Sequence, residues 1–237
     1  MKISYPKIRL PNIDKNTRPV FYDVESHIAA NHHYYGEDES NSAHEITHGV
    51  NGVLRIKNRC AAFYCLDDVA YLLPNTKSAR ILHAHQFIPK SLRGEGFDHY
   101  LNHQRGDWDA QPLYLFDEWS AYINGSTSVI KALELDVFEK TMRPDGLKQT
   151  TMIRMMEMSA YTSAIIGAII KYEPTYDIHP VIELWNYQFS RLESLLVVNE
   201  TIKHRRVYNK EPREYLDKFL NSNLSMYLKK YEVEDES

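Results

Sequence analysis

Only two cysteines occur in the 237 residues. Cys60 and Cys65 fall five apart in a stretch that reads as one strand, so their side chains point to opposite faces. That reading excludes a disulfide between them, and such sparse usage fits a reducing compartment. The N-terminus lacks the apolar run of a signal peptide, with Lys2, Pro6 and Lys7 standing where one would lie. Together these absences give a cytoplasmic expectation. Long hydrophobic runs are missing too: the most apolar stretch, 159–170, falls short of the roughly 20 residues that span a bilayer and reads as a buried helix, so no membrane partner is expected. Nor is there an excess of positive charge. Lys and Arg number 28 against 32 Asp and Glu, a net charge of −4, and no nucleic-acid partner is expected. The local basic cluster Lys203, His204, Arg205 and Arg206 reads as a solvated helix end. No internal repeat is visible.

What remains is the composition of a globular domain: 43% apolar residues and 25% charged ones, on a chain long enough to bury its own core. Residues 20–24 (Val20, Phe21, Tyr22, Asp23, Val24) read as a short strand, and 31–40 as a polar loop. From Asn41 to about Asn58 the period becomes helical. Ile46, Val50, Val53, Leu54 and Ile56 form its apolar stripe, Ser42 is the expected N-cap and Glu45 completes a capping-box spacing. Residues 61–66 and 69–73 flank Asp67 and Asp68 and read as a hairpin closed by Pro74. Residues 91–111, with Gly94, Gly96 and Gly106, read as a long loop or lid. Helices are expected near 115–140, 147–172, 178–205 and 211–230, the last with Pro212 in its first turn. The expected architecture is one α+β domain over 1–237. It has a small N-terminal sheet or hairpin, a predominantly helical C-terminal half with 147–231 as a helical extension, and a frayed acidic tail at 232–237.

The sharpest chemical signal is the pentad His44, Glu45, Ile46, Thr47, His48. Residues four apart on a helix share a face, so His44 and His48 offer two imidazoles to one metal ion. Glu45 stands ready to take a proton from an activated water. Gly49 follows directly and leaves room beside the metal. Catalytic zinc takes three protein ligands and keeps a position open. The metzincin spacing needs Gly at 51 and His at 54, where this chain has Asn51 and Leu54, so that class is excluded. The common remaining solution is a carboxylate from a second helix. The amphipathic segment opening with Leu115, Phe116, Asp117, Glu118 and Trp119 supplies Glu118, with Asp117 as the alternative third ligand.

On His44 to Gly49 and Phe116 to Tyr122, the chain resembles the gluzincin branch of zincin metallopeptidases, in which HExxH on one helix is joined by Glu on a later one. Thermolysin-like members carry an Asp four residues after the ligand Glu, where this chain has Tyr122. The closer likeness is to toxin-type and uncharacterised members with Glu-x-x-Ala, matched by Glu118 and Ala121. The resemblance implies a zincin-like fold, one Zn2+ held by His44, His48 and Glu118, and hydrolysis of a peptide or protein substrate with Glu45 as general base. Tyr114 is the first choice to donate a hydrogen bond to the developing oxyanion and Tyr122 the second. Asp117 and Asn124 are candidates to orient the ligands from behind. The oligomeric state is left open. Two other functions fit the same residues: a zincin-fold binding or regulatory module without turnover, and a zinc hydrolase of a non-peptide amide.

Other clusters have bland readings beside the functional ones. His83 and His85 share a face only on a strand; on a helix they diverge. His27, His32 and His33 read as solvated, or as lining the cleft. Met152, Met155, Met156 and Met158 read as helix packing, as does Trp119. One strand of the hairpin, 61–66 or 69–73, would offer an edge to an extended peptide, or simply cover the core.

Overall fold

The computed structural model describes residues 1–29, 38–137, 150–201 and 211–225. His32, His33, the basic cluster at 203–206 and the tail 232–237 lie outside them, as do most of the expected loop at 31–40 and parts of the expected helix ends. Among the described residues the chain is α+β and mostly helical, with one three-stranded sheet. Strand β1 (Lys2–Ser4) precedes helix α1 (Pro19–Ser26) and the long helix α2 (Glu39–Asn58); β2 (Ala61–Tyr64) and β3 (Val69–Leu73) follow. Then come the short α3 (Ile81–Ala84), a π-helix (Phe97–His103), α4 (Arg105–Trp108) and α5 (Tyr114–Glu134). Helices α6 (Thr150–Tyr172), α7 (His179–Thr201) and α8 (Glu211–Leu220) complete the helical half.

The hairpin is present, and β3 is its inner strand: the sheet order is β1-β3-β2, both pairs antiparallel, with Ile3 opposite Ala70 and Phe63 opposite Tyr71. Residues 69–73 therefore offer no free edge, which removes one of the two candidate substrate strands. The turn between β2 and β3 runs Leu66, Asp67, Asp68 at φ of 65°, 51° and 60°, three left-handed residues in a row without glycine. Side chains and backbone hold it. Asp67 N–H donates to Asp23 Oδ2 at 3.1 Å, Tyr5 N–H to the Asp68 carbonyl at 2.7 Å, and His27 Nε2 lies 2.9 Å from Asp68 Oδ1. His27 is wholly buried in this network rather than solvated.

Alternation along the sheet decides which core each residue joins. Ala61, Phe63, Cys65, Tyr71 and Leu73 enter the large cluster built on α5, α6 and α7, whereas Ala62, Tyr64, Leu66 and Ala70 enter a smaller one with α1 and α2. Both cysteines are free. The expected strand at 20–24 is instead helix α1. Pro19 sits in its first turn, where a proline loses no hydrogen bond, and Val20, Phe21 and Val24 face the core. A five-residue apolar run fits either period, and tertiary packing chose the helix.

Helix α2 begins two residues before the expected start. Its N-cap is Asp38, whose carboxylate accepts the Asn41 N–H at 2.9 Å, while Ser42 is buried inside the helix. Ala43, Ile46, Val50 and Leu54 are buried, but Val53 and Ile56 face outward at 39% and 81% exposure, so the stripe is narrower than the period suggests. A second face of α2, bearing Ser40, Thr47 and Asn51, packs antiparallel on α5. Ser40 Oγ donates to the Gly125 carbonyl at 3.0 Å, and Asn124 Nδ2 to Thr47 Oγ1 at 3.1 Å. A Cβ at Gly125 would lie 2.9 Å from the Ser40 carbonyl oxygen, so the close approach requires glycine.

Within α6, Met155, Met156 and Met158 are buried and Met152 is partly so; Trp119 is wholly buried against Phe116 and Trp185. All read as packing. The stretch Met152–Tyr172 is longer than the apolar core of 159–170. By length and composition it is able to cross a membrane, yet 83% of its most apolar window is buried inside the fold, as in a core helix.

Candidate metal centre

The α2–α5 contact brings the pentad against the second carboxylate motif. His44 and His48 lie one turn apart on α2, with their Nε2 atoms 3.1 Å from each other. Glu118, one turn into α5, places Oε1 3.7 Å from His48 Nε2 and Oε2 3.9 Å from His44 Nε2. One donor atom from each of these three residues falls within a mutual 4.8 Å, so the group can hold a metal ion. The fit rests on the donor set. Ligand bonds of about 2.1 Å in a tetrahedral site put donor atoms roughly 3.4 Å apart, within several tenths of an ångström of the separations found here.

Asp117 takes a different place from Glu118. Its Oδ1 accepts from His48 Nδ1 at 2.8 Å and from Asn51 Nδ2 at 2.7 Å, and Arg55 Nη1 lies 3.5 Å from Oδ2. This carboxylate therefore faces the back of the His48 ring. A proton held on Nδ1 by Asp117 leaves Nε2 turned toward His44 and Glu118, the arrangement that fixes a ligand's tautomer. Asn124, the other candidate for that task, does not reach the imidazoles. It donates to Thr47 and to the Tyr64 carbonyl at 3.1 Å and accepts from Arg191 Nη2 at 2.9 Å, so it joins α5 to α2, β2 and α7.

Charge is unevenly shared between the two imidazoles. Burial and the neighbouring His48 hold His44 well below the ordinary histidine range, so it stays neutral. Burial would also depress His48, but Asp117, with help from Glu118 and Glu45, outweighs it and raises the ring to about 9. Burial raises the Glu118 carboxyl above the usual range, against the lowering pull of His48 and the Tyr114 hydroxyl. A cation entering this group would displace a proton from it, the usual coupling at histidine sites.

Tyrosines crowd the carboxylate. Tyr114, one turn before Glu118 on α5, donates its hydroxyl to Glu118 Oε1 and stacks on Trp108 with ring centroids 4.1 Å apart. Tyr122, one turn after, meets the His44 ring edge-on at 4.5 Å and hydrogen-bonds Tyr100 at 2.5 Å between hydroxyl oxygens. Both expected tyrosines are thus beside the group, Tyr114 on the carboxylate and Tyr122 on His44. Glu45 is half-buried on α2, close enough for its charge to act on His48.

Three participants lie outside the two motifs: Tyr100, Asn51 and Arg55. Asn51 and Arg55 follow His48 at three and seven residues, which puts them on the same helix face, a signal that was available in the spacing. Tyr100 lies in the stretch read as a lid and has no such signal. That stretch is folded down, with Phe97, Tyr100 and Leu101 buried. His83 and His85 take other roles: His83 Nδ1 accepts from Arg80 N–H at 3.2 Å and its ring stacks on Tyr172, while His85 Nε2 donates to the Leu101 carbonyl at 2.8 Å.

No protein-family model, curated protein or solved structure matches this chain.

Proposed function

We propose that this chain is a zinc-dependent metallopeptidase of zincin-like fold, with His44, His48 and Glu118 as metal ligands and Glu45 as general base. The observation that supports it most is the convergence of two imidazoles from one helix turn and a carboxylate from an antiparallel helix. A set of two nitrogens and one oxygen suits zinc and leaves a coordination position open. When bound, such an ion supplies Lewis acidity, polarising a carbonyl and making a water acidic at neutral pH.

The chain's own residues carry the remaining steps. Glu45 takes a proton from the attacking water as its oxygen bonds to the carbonyl carbon, and returns that proton to the leaving nitrogen as the C–N bond breaks. Tyr122 and Tyr114 are the phenols nearest the oxyanion, Tyr114 donating to Glu118 and Tyr122 sharing a hydrogen bond with Tyr100 in the resting arrangement.

An extended substrate has a candidate edge in β2. Cys65 N–H pairs with the Val69 carbonyl at 2.8 Å, so by alternation residues 61, 63 and 65 turn their backbone groups to β3, and Ala62 and Tyr64 turn theirs outward. Tyr64 is already taken: its N–H donates to Asn51 Oδ1 at 2.6 Å and its carbonyl accepts from Asn124. Ala62 instead faces a cavity of about 40 Å³ shared with Arg55, Gln111, Leu113, Tyr114 and Asp117, room for about one water, so a peptide backbone would pair there only if Gln111 and its neighbours moved aside.

The test is cleavage of a broad peptide library by the zinc-loaded wild type and by Glu45→Gln. Metal-dependent cleavage that falls by about 10²-fold or more in the variant is expected from loss of a general base; equal cleavage by both proteins overturns the assignment. A non-catalytic metal-holding module is the second reading. It is favoured by the burial of Glu118 under Tyr114 and by the low side-chain exposure of His44, 15%.

A further inference from the structure

Asparagine is a poor residue for a helix interior, and a buried amide costs free energy unless its polar atoms are bonded. Asn51 nevertheless stands in the middle of α2, wholly buried, three residues beyond His48 and on the same face. Both ends of its amide are used. Oδ1 accepts the Tyr64 N–H from β2 at 2.6 Å, and Nδ2 donates to Asp117 Oδ1 on α5 at 2.7 Å. The partners dictate this orientation, since a backbone N–H only donates and an ionised carboxylate only accepts.

Asp117 Oδ1 is also the oxygen that takes His48 Nδ1, at 2.8 Å. One oxygen thus holds an imidazole and an amide together, and a turn of the carboxylate about its Cβ–Cγ bond would break both bonds. Arg55, 3.5 Å from Oδ2, is a more distant partner. The other end of the chain of contacts is firmly seated. Tyr64 is wholly buried, its carbonyl accepts from Asn124, and its hydroxyl donates to Asp23 and lies 2.9 Å from His27 Nδ1. A side chain between Tyr64 and Asp117 must be short, accept at one end and donate at the other. Leucine has that shape without either bond, ionised aspartate lacks the donor, and glutamine is one carbon too long.

We infer that Asn51 is a positioning residue of the metal centre: by fixing the Asp117 carboxylate against the backbone of β2, it holds the His48 ring with Nε2 toward His44 and Glu118. The inference rests on the metal-site reading above. A residue that only ties β2 to α2 would behave differently, because its loss would act on zinc independently of Asp117.

The experiment measures zinc affinity of the full chain by competition with a chromogenic chelator, and the visible spectrum of the cobalt-substituted protein. It compares wild type, Asn51→Leu, Asp117→Ala and the double variant, each shown to be folded by circular dichroism. Asn51→Leu keeps the side-chain shape and removes both bonds. It should weaken zinc by about 10-fold, the lower end of the loss when an outer partner of a ligand is removed, because Asp117 remains but is held less firmly. The cobalt spectrum should shift with it. The double variant should bind zinc about as weakly as Asp117→Ala alone, since residues in one hydrogen-bond network do not contribute independently. Unchanged affinity and cobalt spectrum in folded Asn51→Leu overturns the inference while leaving the metal site standing. So does a loss in Asn51→Leu that is repeated in full on the Asp117→Ala background, which assigns it to the tie between β2 and α2. Wild type that binds no zinc overturns the metal-site reading itself. Should Asn51→Leu fail to fold, Asn51→Ala removes the same two bonds without added bulk, and a folded Asn51→Ala protein with wild-type affinity and cobalt spectrum overturns the inference.

Discussion

Replacing Asp117 by alanine separates the partner of a ligand from a ligand. Asp117 is 4% exposed and joins His48 Nδ1, Asn51 Nδ2 and Arg55 Nη1 at 2.8, 2.7 and 3.5 Å. Its removal leaves Nδ1 of His48 without a fixed acceptor, so the ring loses both its preferred tautomer and part of its basicity. Loss of such a partner typically costs a metal site about 10- to 100-fold in affinity, equivalent to roughly 1.4–2.8 kcal/mol. The same change strands the buried Asn51 amide, at about 1–3 kcal/mol of fold stability, so affinity must be measured on protein shown to be folded by circular dichroism. Chelator competition against wild type and Glu118→Ala is the assay. Asp117→Ala should bind zinc measurably but more weakly, and Glu118→Ala should suffer the greater loss, having lost a donor atom. If zinc binding vanishes in Asp117→Ala and survives intact in Glu118→Ala, the two carboxylates have been assigned the wrong way round.

Two further outcomes follow from the packing. Trp119→Ala empties a wholly buried site between Phe116 and Trp185 and should destabilise the fold by about 3–5 kcal/mol in urea unfolding; a loss below 1 kcal/mol would contradict a core role. Glu173 accepts backbone N–H bonds from Lys77, Ser78 and Ala79 at 2.8–3.1 Å, and although burial acts to raise its carboxyl, these bonds hold it below the usual range. A depressed folded value contributes stability that is present above the unfolded value, about 4.3, and is lost as pH falls through the folded one. The Tm advantage of wild type over Glu173→Gln should therefore shrink from pH 6 to pH 3, and a constant gap would contradict the assignment.

Much of the candidate site was legible because one helix turn carries its own register. His44 and His48 at i and i+4 share a face wherever that helix packs, and a segment as amphipathic as the one holding Glu118 had to pack somewhere. What the sequence could not give is the antiparallel seating of α2 on α5, which depends on Gly125 meeting Ser40 and on Asn124 meeting Thr47. That seating turns Asp117 to the back of His48 and Glu118 to the front. The helix α1 was misread because its run of Val20 to Val24 is too short to show a period. Strand β1 is three residues of Lys, Ile and Ser whose pairing with β3 is wholly non-local. Tyr100 was invisible for a related reason: a π-helical turn has no period in common use, and its hydroxyl meets Tyr122 on a separate helix, 22 residues away in sequence.

The most direct test of the central claim is the metal content of purified protein after dialysis against trace zinc, wild type beside Glu118→Ala, by atomic emission. One zinc per chain in wild type and a clear deficit in the variant is the predicted result. A wild-type protein that is folded and carries no zinc would contradict the metal centre, and with it the proposed hydrolysis.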